Sequence, residues 1–274
     1  SNPAARGSVA GRLPPESDFG SKFAGSLVQL DSPQGRFSSG AAQVSGTKLL
    51  AANAIGKQLF LEFDAELVLR VHLGIYGKWI WVNLSKNGDF LALPVKGEVR
   101  ARFYNSTDLA ELRGPTVCEV VPSELAVQVK RRLGPDPINP DPDGQEASRF
   151  IDRVAKSAQP IGQLLMDQSV ISGVGNVYRA ELLFRAGVDP YLPGSSLQQE
   201  VVANLWDDAV KLLAVGVKHG FMITRDELFD SHPDKTDRNF VYKREGQPCR
   251  ICGTEIALAV MQGRKLYWCP RCQK

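Results

Sequence analysis

Up to about residue 130 the apolar positions of this chain alternate with polar ones over short runs: Leu27 to Leu30, Lys57 to Phe63, Leu67 to His72, Trp79 to Leu84 and Val117 to Val121. Each run is bounded by Gly, Pro, Asn or Asp. A period of two over so few residues, closed by turn formers, marks half-buried strands, and several in succession predict an antiparallel sandwich or barrel. The pattern breaks at 133–144, where four prolines fall within a dozen residues and neither a helix nor a central strand can continue. Beyond it, apolar residues recur three and four apart over Ala147 to Lys156, Ile161 to Gln168, Asn176 to Ala186 and Leu197 to Val217, which predicts a helical second domain. The polar stretch Phe229 to Asn239, with Pro233, predicts an exposed loop. The reading is a multidomain α+β chain: a β-sandwich domain over 1–132, a Pro-rich linker over 133–145, a helical domain over 146–239 and a terminal module over 240–274.

Composition narrows the class. With 43% hydrophobic and 23% charged residues the 274-residue chain has what a folded domain needs, and disorder is rejected. No apolar run approaches the roughly 20 residues of a membrane span, and the first residues lack the apolar core of a secretory signal, so a cytoplasmic protein without membrane contact is expected. A net charge of +3 says little about partners, but its distribution says more. From Phe240 to Lys274 there are seven basic residues (Lys243, Arg244, Arg250, Arg264, Lys265, Arg271, Lys274) against two acidic ones.

Four of the five cysteines form Cys249-x-x-Cys252 and Cys269-x-x-Cys272, with sixteen residues between the pairs. Two tight pairs at this spacing match the ligand pattern of a zinc ribbon, and a reducing compartment disfavours the disulfide alternative. A structural Zn2+ held by Cys249, Cys252, Cys269 and Cys272 is therefore expected. Cys118 stands alone in an apolar stretch and reads as a small buried side chain.

Met166 to Glu181 places two glycines, an asparagine and a helix start in succession. Glycines let a backbone approach a ligand, and the N–H groups of a helix start attract phosphate; Asn176 either caps that helix or donates to a phosphate oxygen. Taken together, Gly173-Val-Gly-Asn-Val-Tyr178 with Glu181, the cysteine pairs, His72-Leu-Gly-Ile-Tyr-Gly77 and Gly56-Lys57 resemble the Fpg/Nei family of base-excision DNA glycosylases. The match runs from about Phe23 to Lys274, and Ser32-Pro-Gln-Gly-Arg-Phe37 and Arg113-Gly-Pro-Thr116 are similar to its actinobacterial Nei-type branch.

The resemblance implies a two-layer β-sandwich, a helix-two-turns-helix domain over 146–239 and a zinc finger over 240–274, acting as a monomer on damaged DNA held between the domains. It implies a bifunctional DNA glycosylase and AP lyase of DNA repair that flips the damaged nucleotide out of the stack, since the bond to be cut is inaccessible inside a duplex. By position, Lys57 matches a lysine beside the lesion and its phosphates, Asn176 an asparagine holding a phosphate next to the flipped nucleotide, and Arg264 the zinc-finger arginine clamping the same phosphates. Ile75 falls where an apolar wedge fills the gap left by the extruded base, with a core position as the alternative, and Arg113 approaches the opposite strand. His72 reads as a satisfied core histidine.

One departure stands out. The resemblance implies an N-terminal proline, whose free secondary amine attacks the sugar, followed by a glutamate that handles protons. Alignment through Gly7 and Arg12-Leu13 puts Ala5 and Arg6 at those places. Pro3 is acylated by Asn2, and Pro15-Glu16 is internal, so neither proline carries a free amine. Three readings stand: a protein that binds lesions without cutting, one that uses another amine with Lys57 the first candidate nucleophile, or a functional N-terminus other than Ser1. A non-catalytic DNA-binding module and a zinc ribbon that docks on another protein are the rivals from other classes. The expected behaviour is binding to abasic DNA with little or no covalent trapping.

Overall fold

The computed structural model describes residues 16–82 and 94–274. Ala5, Arg6, Pro3 and Pro15 lie outside the described residues, as does the end of the Trp79 to Leu84 run. The chain divides into two compact units, Ser1–Arg131 and Arg132–Lys274.

The first unit is built on β1 (Leu27–Asp31), β2 (Thr47–Ile55), β3 (Gln58–Phe63), β4 (Leu67–His72), β5 (Lys78–Val82), β6 (Ala101–Tyr104), β7 (Leu109–Arg113) and β8 (Val117–Pro122). Its strand order is β5-β7-β6-β1-β2-β3-β4-β8, all neighbours antiparallel. The order is continuous, but β1 and β2 share only the pairs Leu27 with Lys48 and Val28 with Thr47. At this corner the sheet folds over. Phe63 of β3 and Phe103 of β6 have ring centroids 6.3 Å apart. Three strand spacings in a flat sheet would separate those strands by about 14 Å. The two halves therefore face each other across one core, with Leu49, Leu59, Leu61, Leu69 and Val71 from one layer and Val28, Leu30, Phe103, Ala110 and Leu112 from the other.

Among the described residues three helices border this sandwich: α1 (Glu16–Phe23), α2 (Ser38–Val44) and α3 (Ser123–Arg132). Phe19 and Phe23 of α1 close the core edge-on, at 4.7 Å from the Trp79 and Phe103 rings respectively. Cys118 packs against the same core, and burial pushes its thiol pKa up to about 12, so it stays a neutral apolar group.

The second unit carries α4 (Gln145–Ala155), α5 (Ile161–Leu164), α6 (Asn176–Arg185), α7 (Gln199–His219) and a hairpin of β9 (Ala257–Met261) with β10 (Arg264–Trp268). Phe150, Leu164, Ile171, Leu182, Leu205, Trp206 and Leu212 form its main core. Helix α7 ends on Gly220, whose φ of 74° suits a residue without Cβ. The predicted helix from Ile161 to Gln168 is shorter than its apolar period, because the Asp167 carboxylate accepts from Ser169 N at 2.8 Å and turns the chain. The proline-rich stretch forms neither helix nor strand, and Gly134 to Pro137 are buried in this unit. There Gly134 N donates to Gln168 O at 2.7 Å and Ser172 Oγ to Gly134 O at 2.8 Å.

A buried carboxylate joins helix to hairpin module. Glu181 of α6, 0% exposed, accepts from the backbone N–H groups of Phe240, Val241 and Tyr242 at 2.7, 2.8 and 2.8 Å and from Thr224 Oγ1 at 2.5 Å. The chain entering the terminal module is thereby tied to α6. Among the described residues no helix is long and apolar enough to cross a membrane.

Candidate nucleic-acid interface and metal centre

In the second unit the Sγ atoms of Cys249, Cys252, Cys269 and Cys272 all lie within 4.8 Å of one another. Cys249 to Cys272 is 3.9 Å and Cys252 to Cys269 is 3.4 Å. A tetrahedron of thiolates at a Zn–S bond of about 2.3 Å has edges of about 3.8 Å, so the set fits zinc with no position left open. Each pair sits on a tight knuckle: Gly253 N donates to Cys249 O at 3.0 Å, and Cys269 N to Gln273 Oε1 at 2.8 Å. Gln273 Nε2 in turn donates to Val188 O at 3.0 Å, which fastens the second knuckle to the chain following α6. The four cysteines hold a structural zinc ion.

The β9–β10 hairpin grown on this centre turns through Gln262 and Gly263, at φ 48° and 72°. Two successive positive φ values form a turn of the I′ kind, which matches the strand twist and places Arg264 at the exposed tip. Arg264 enters no ion pair among the described residues. The next residue holds the hairpin down: Lys265 O accepts Asn176 Nδ2 at 2.9 Å and Arg179 Nη2 at 2.9 Å. Asn176 does not cap α6. The cap position is Gly175, extended at φ −132° and ψ −171°, and Asn176 is the first helical residue with its side chain turned to the hairpin. Upstream, Gln168 closes the loop by donating to Val174 O at 2.9 Å and accepting from Gly173 N at 3.1 Å.

The basic tail is less free than its composition suggests. Arg244 is buried and donates to Phe240 O and Pro248 O at 2.6 and 2.9 Å, and Arg250 donates to Asn239 O and Thr236 O at 3.2 and 2.9 Å. These two are structural struts. Arg264, Arg271, Lys243 and Lys274 are exposed.

In the first unit Lys57, His72, Ile75 and Arg113 come together at one end of the sandwich. Lys57 is half-buried in the two-residue turn between β2 and β3, after Gly56 at φ 59°. Lys57 O takes a 2.8 Å hydrogen bond with His72 Nδ1, so His72 serves as the turn's anchor. The loop after β4 is pinched shut, Gly77 N donating to Leu73 O at 3.0 Å. A Cβ on Gly77 would meet that oxygen at 2.2 Å, so this position admits only glycine. The pinch turns Ile75 and Tyr76 outward, 65% and 86% exposed, which removes the core alternative for Ile75. Arg113 pairs with Lys78 in register and donates through Nη2 to Glu111 at 2.5 Å. Glu111, 5% exposed, also pairs with the buried Arg102 at 3.1 Å. Arg113 Nε is buried without a partner.

Sequence reasoning missed four of these residues. Tyr76 follows the predicted wedge directly and was legible only as its neighbour. Glu111 and Arg102 sit in strands without clean alternation. Arg179, three residues after Asn176, reads as an ordinary surface arginine of a helix, yet it is 1% exposed.

Comparison with known proteins places this geometry in a family. The model of the formamidopyrimidine-DNA glycosylase H2TH domain matches residues 133–227, and that of the zinc finger found in FPG and IleRS matches residues 246–274. Among solved structures, the Lactococcus lactis Fpg in complex with DNA containing an abasic site superimposes with a TM-score of 0.74 at 22% identity, over 94% of this chain and 96% of that one. The Fpg of Thermus thermophilus gives 0.70 at 26% identity, over 94% and 95%. The formamidopyrimidine-DNA glycosylase of Methylococcus capsulatus is 30% identical over 239 residues, 84% of each chain. Endonuclease 8 1 of Mycobacterium tuberculosis is 42% identical over 256 residues, which cover 92% of this chain and 94% of the relative. An identity of that size over that span, joined to the cysteine cluster and the helix-two-turns-helix match, means that the chain belongs to the Fpg/Nei family of DNA glycosylases.

Proposed function

We propose that this protein binds damaged DNA, at oxidised bases or abasic sites, as a monomeric base-excision-repair protein of the cytoplasm. The observation that carries the reading is the phosphate-type constellation of the second unit. An unpaired Arg264 stands at the hairpin tip, next in the chain to the Lys265 carbonyl that Asn176 holds at 2.9 Å. A guanidinium with free donors beside an amide N–H suits a phosphodiester oxygen. Lys57 adds a cation from the first unit, Ile75 with Tyr76 supplies an apolar wedge for a base step, and Arg113 faces the opposite strand. The Lactococcus lactis neighbour, solved with an abasic site, supports abasic DNA as a ligand class.

The test is binding to a labelled duplex with one abasic site, titrated across salt concentrations beside an undamaged duplex. Affinity falls steeply with salt and the damaged duplex is preferred. Equal affinity for both duplexes, or binding indifferent to salt, overturns the reading.

Catalysis is a separate question with its own readout. A primary amine forms a Schiff base with an abasic sugar as well as a secondary one does, so Lys57 is chemically competent. An ammonium held against phosphate, however, keeps its proton and offers no lone pair. The expected result is therefore retained binding with little or no borohydride trapping at Lys57. An adduct that maps to Lys57 and disappears in Lys57→Ala overturns its phosphate role, and an adduct on any other residue establishes lyase chemistry by another amine.

A further inference from the structure

Arg179 lies one helical turn after Asn176 and is 1% exposed. Among the described residues no acidic side chain pairs with it, and its Nε has no partner. A guanidinium taken out of water ordinarily keeps a carboxylate. This one instead directs Nη2 to two oxygens, Lys265 O at 2.9 Å and Oδ1 of Asn176. Asn176 Nδ2 donates to the same Lys265 carbonyl at 2.9 Å. Helix α6 and strand β10 are thus closed into one ring of hydrogen bonds.

The ring decides which way round the asparagine amide sits. An amide has an acceptor end and a donor end, whereas a guanidinium offers only donors and a carbonyl only acceptors. If the Asn176 amide turned over, its NH2 would face the Arg179 donors and its oxygen would face the Lys265 oxygen. Both contacts would be repulsive. With Arg179 in place, one Nδ2 hydrogen serves Lys265 O and the second is left for an outside acceptor. A phosphodiester oxygen accepts and does not donate, so the locked amide attracts it and the flipped amide repels it.

From this geometry we infer that Arg179 is a positioning residue for DNA binding: it locks the Asn176 amide with its N–H available to a phosphate. The inference rests on the reading of Asn176 as a phosphate ligand. Burial, and then the charge of nearby Arg264, push the Arg179 pKa down to about 10, which still leaves it cationic at neutral pH. Two like charges close together favour an anion beside them, which is what a DNA phosphate supplies.

The test is a double-mutant cycle in the full chain on the abasic duplex, with Arg179→Met, Asn176→Ala and the double variant, each checked for zinc content and thermal unfolding. Each single change weakens binding about tenfold, the loss of one hydrogen bond to a charged group. The double variant binds no more weakly than Asn176→Ala alone, because a misdirected amide does harm only while it is there. The salt slope of Arg179→Met stays that of the parent, since a buried residue releases no counterions itself. Arg179→Lys, which retains a charged donor, recovers part of the affinity. Additive losses, or a slope flattened by about one unit in Arg179→Met, overturn the inference, the latter making Arg179 a direct phosphate ligand. If Asn176→Ala alone binds like the parent, the phosphate reading of Asn176 fails first and takes the inference with it. Should Arg179→Met lose its zinc, the cycle is run with Arg179→Lys, whose smaller loss must vanish equally without Asn176.

Discussion

The sandwich and the zinc ribbon are held together by different means. In the sandwich, one apolar cluster draws on both layers, and fully buried Leu49, Leu59, Leu61, Leu69 and Phe103 sit at its centre. The ribbon's own share of its core is Val241, Cys249, Ile256, Tyr267 and Cys269, and two of these five are metal ligands. The rest comes from Ala180 and Phe184 of α6. Burial of apolar area alone suffices for the first region. A segment of this size cannot enclose enough of it and depends on metal and on buried polar ties, here Glu181 and Arg244. The residues that hold the Arg264 hairpin depend on zinc, whereas the end of the sandwich that carries Lys57 and Ile75 does not.

The largest effect should come from the metal. Structural zinc sites of this kind contribute apparent binding free energies of about 10–16 kcal/mol at neutral pH. Stripping zinc with a chelator, or Cys249→Ser, should unfold the ribbon and abolish DNA binding while the sandwich keeps its cooperative melt. A single transition in which the sandwich melts with the ribbon would mean that the two regions share one source of stability. A metal-free protein that kept its ribbon amide signals would mean that the ribbon does not depend on zinc.

Next in size is the core of each region. Leu61→Ala, at a site with 0% exposure, should destabilise the sandwich by about 2–5 kcal/mol and leave zinc retention unchanged. Glu181→Ala strips the acceptor from three backbone N–H groups, of which that of Val241 is buried, and should cost the second unit about 3 kcal/mol. Urea unfolding followed by tryptophan fluorescence and by zinc release separates the two. Glu181→Ala, unlike Leu61→Ala, should move the zinc-release midpoint.

Arg264→Ala should leave both melts in place and act on binding only. It should weaken all DNA sequences about equally and flatten the dependence of log affinity on log salt by about one unit, because a phosphate contact carries no sequence information. An unchanged slope would remove Arg264 from the interface.

The smallest effect concerns Asp141, whose carboxylate accepts from Ala147 N at 2.9 Å and Glu146 N at 3.1 Å at the start of α4. The bonds from Ala147 and then Glu146 hold its pKa below the ordinary 3.8. A lowered folded pKa means that this contribution is complete above the ordinary value and is lost as pH falls through the lowered one. Asp141→Asn should therefore reduce the acid sensitivity of the second unit slightly, and an unaltered acid titration of its melt would discount the tie.

Some of this was legible locally. The strands from Leu67 and Val117 and the helices from Gln145, Asn176 and Gln199 follow the two periods, because half-buried elements alternate or recur with a fixed face. The cysteine spacing specified the metal centre, since each pair closes a knuckle of a few residues whose geometry is set by neighbours in the chain. Strands β2, β6 and β7 escaped detection for the opposite reason. In β7 the buried run includes Glu111, kept inside by Arg102 from the adjacent strand, so polarity no longer reports which face is out.

The state of individual side chains at the candidate site emerged only when distant segments met. Sequence alone placed Asn176 at a helix start with two uses open to it, and left Ile75 between core and surface. The Leu73–Gly77 pinch settled the second by pushing the side chain into solvent. For Asn176 the fold excluded the capping use, its side chain being turned to Arg179 and to a carbonyl 89 residues away, Lys265 O. A side chain's donors and acceptors are fixed by the partners that meet it in space, and no local pattern along the chain encodes a partner so distant.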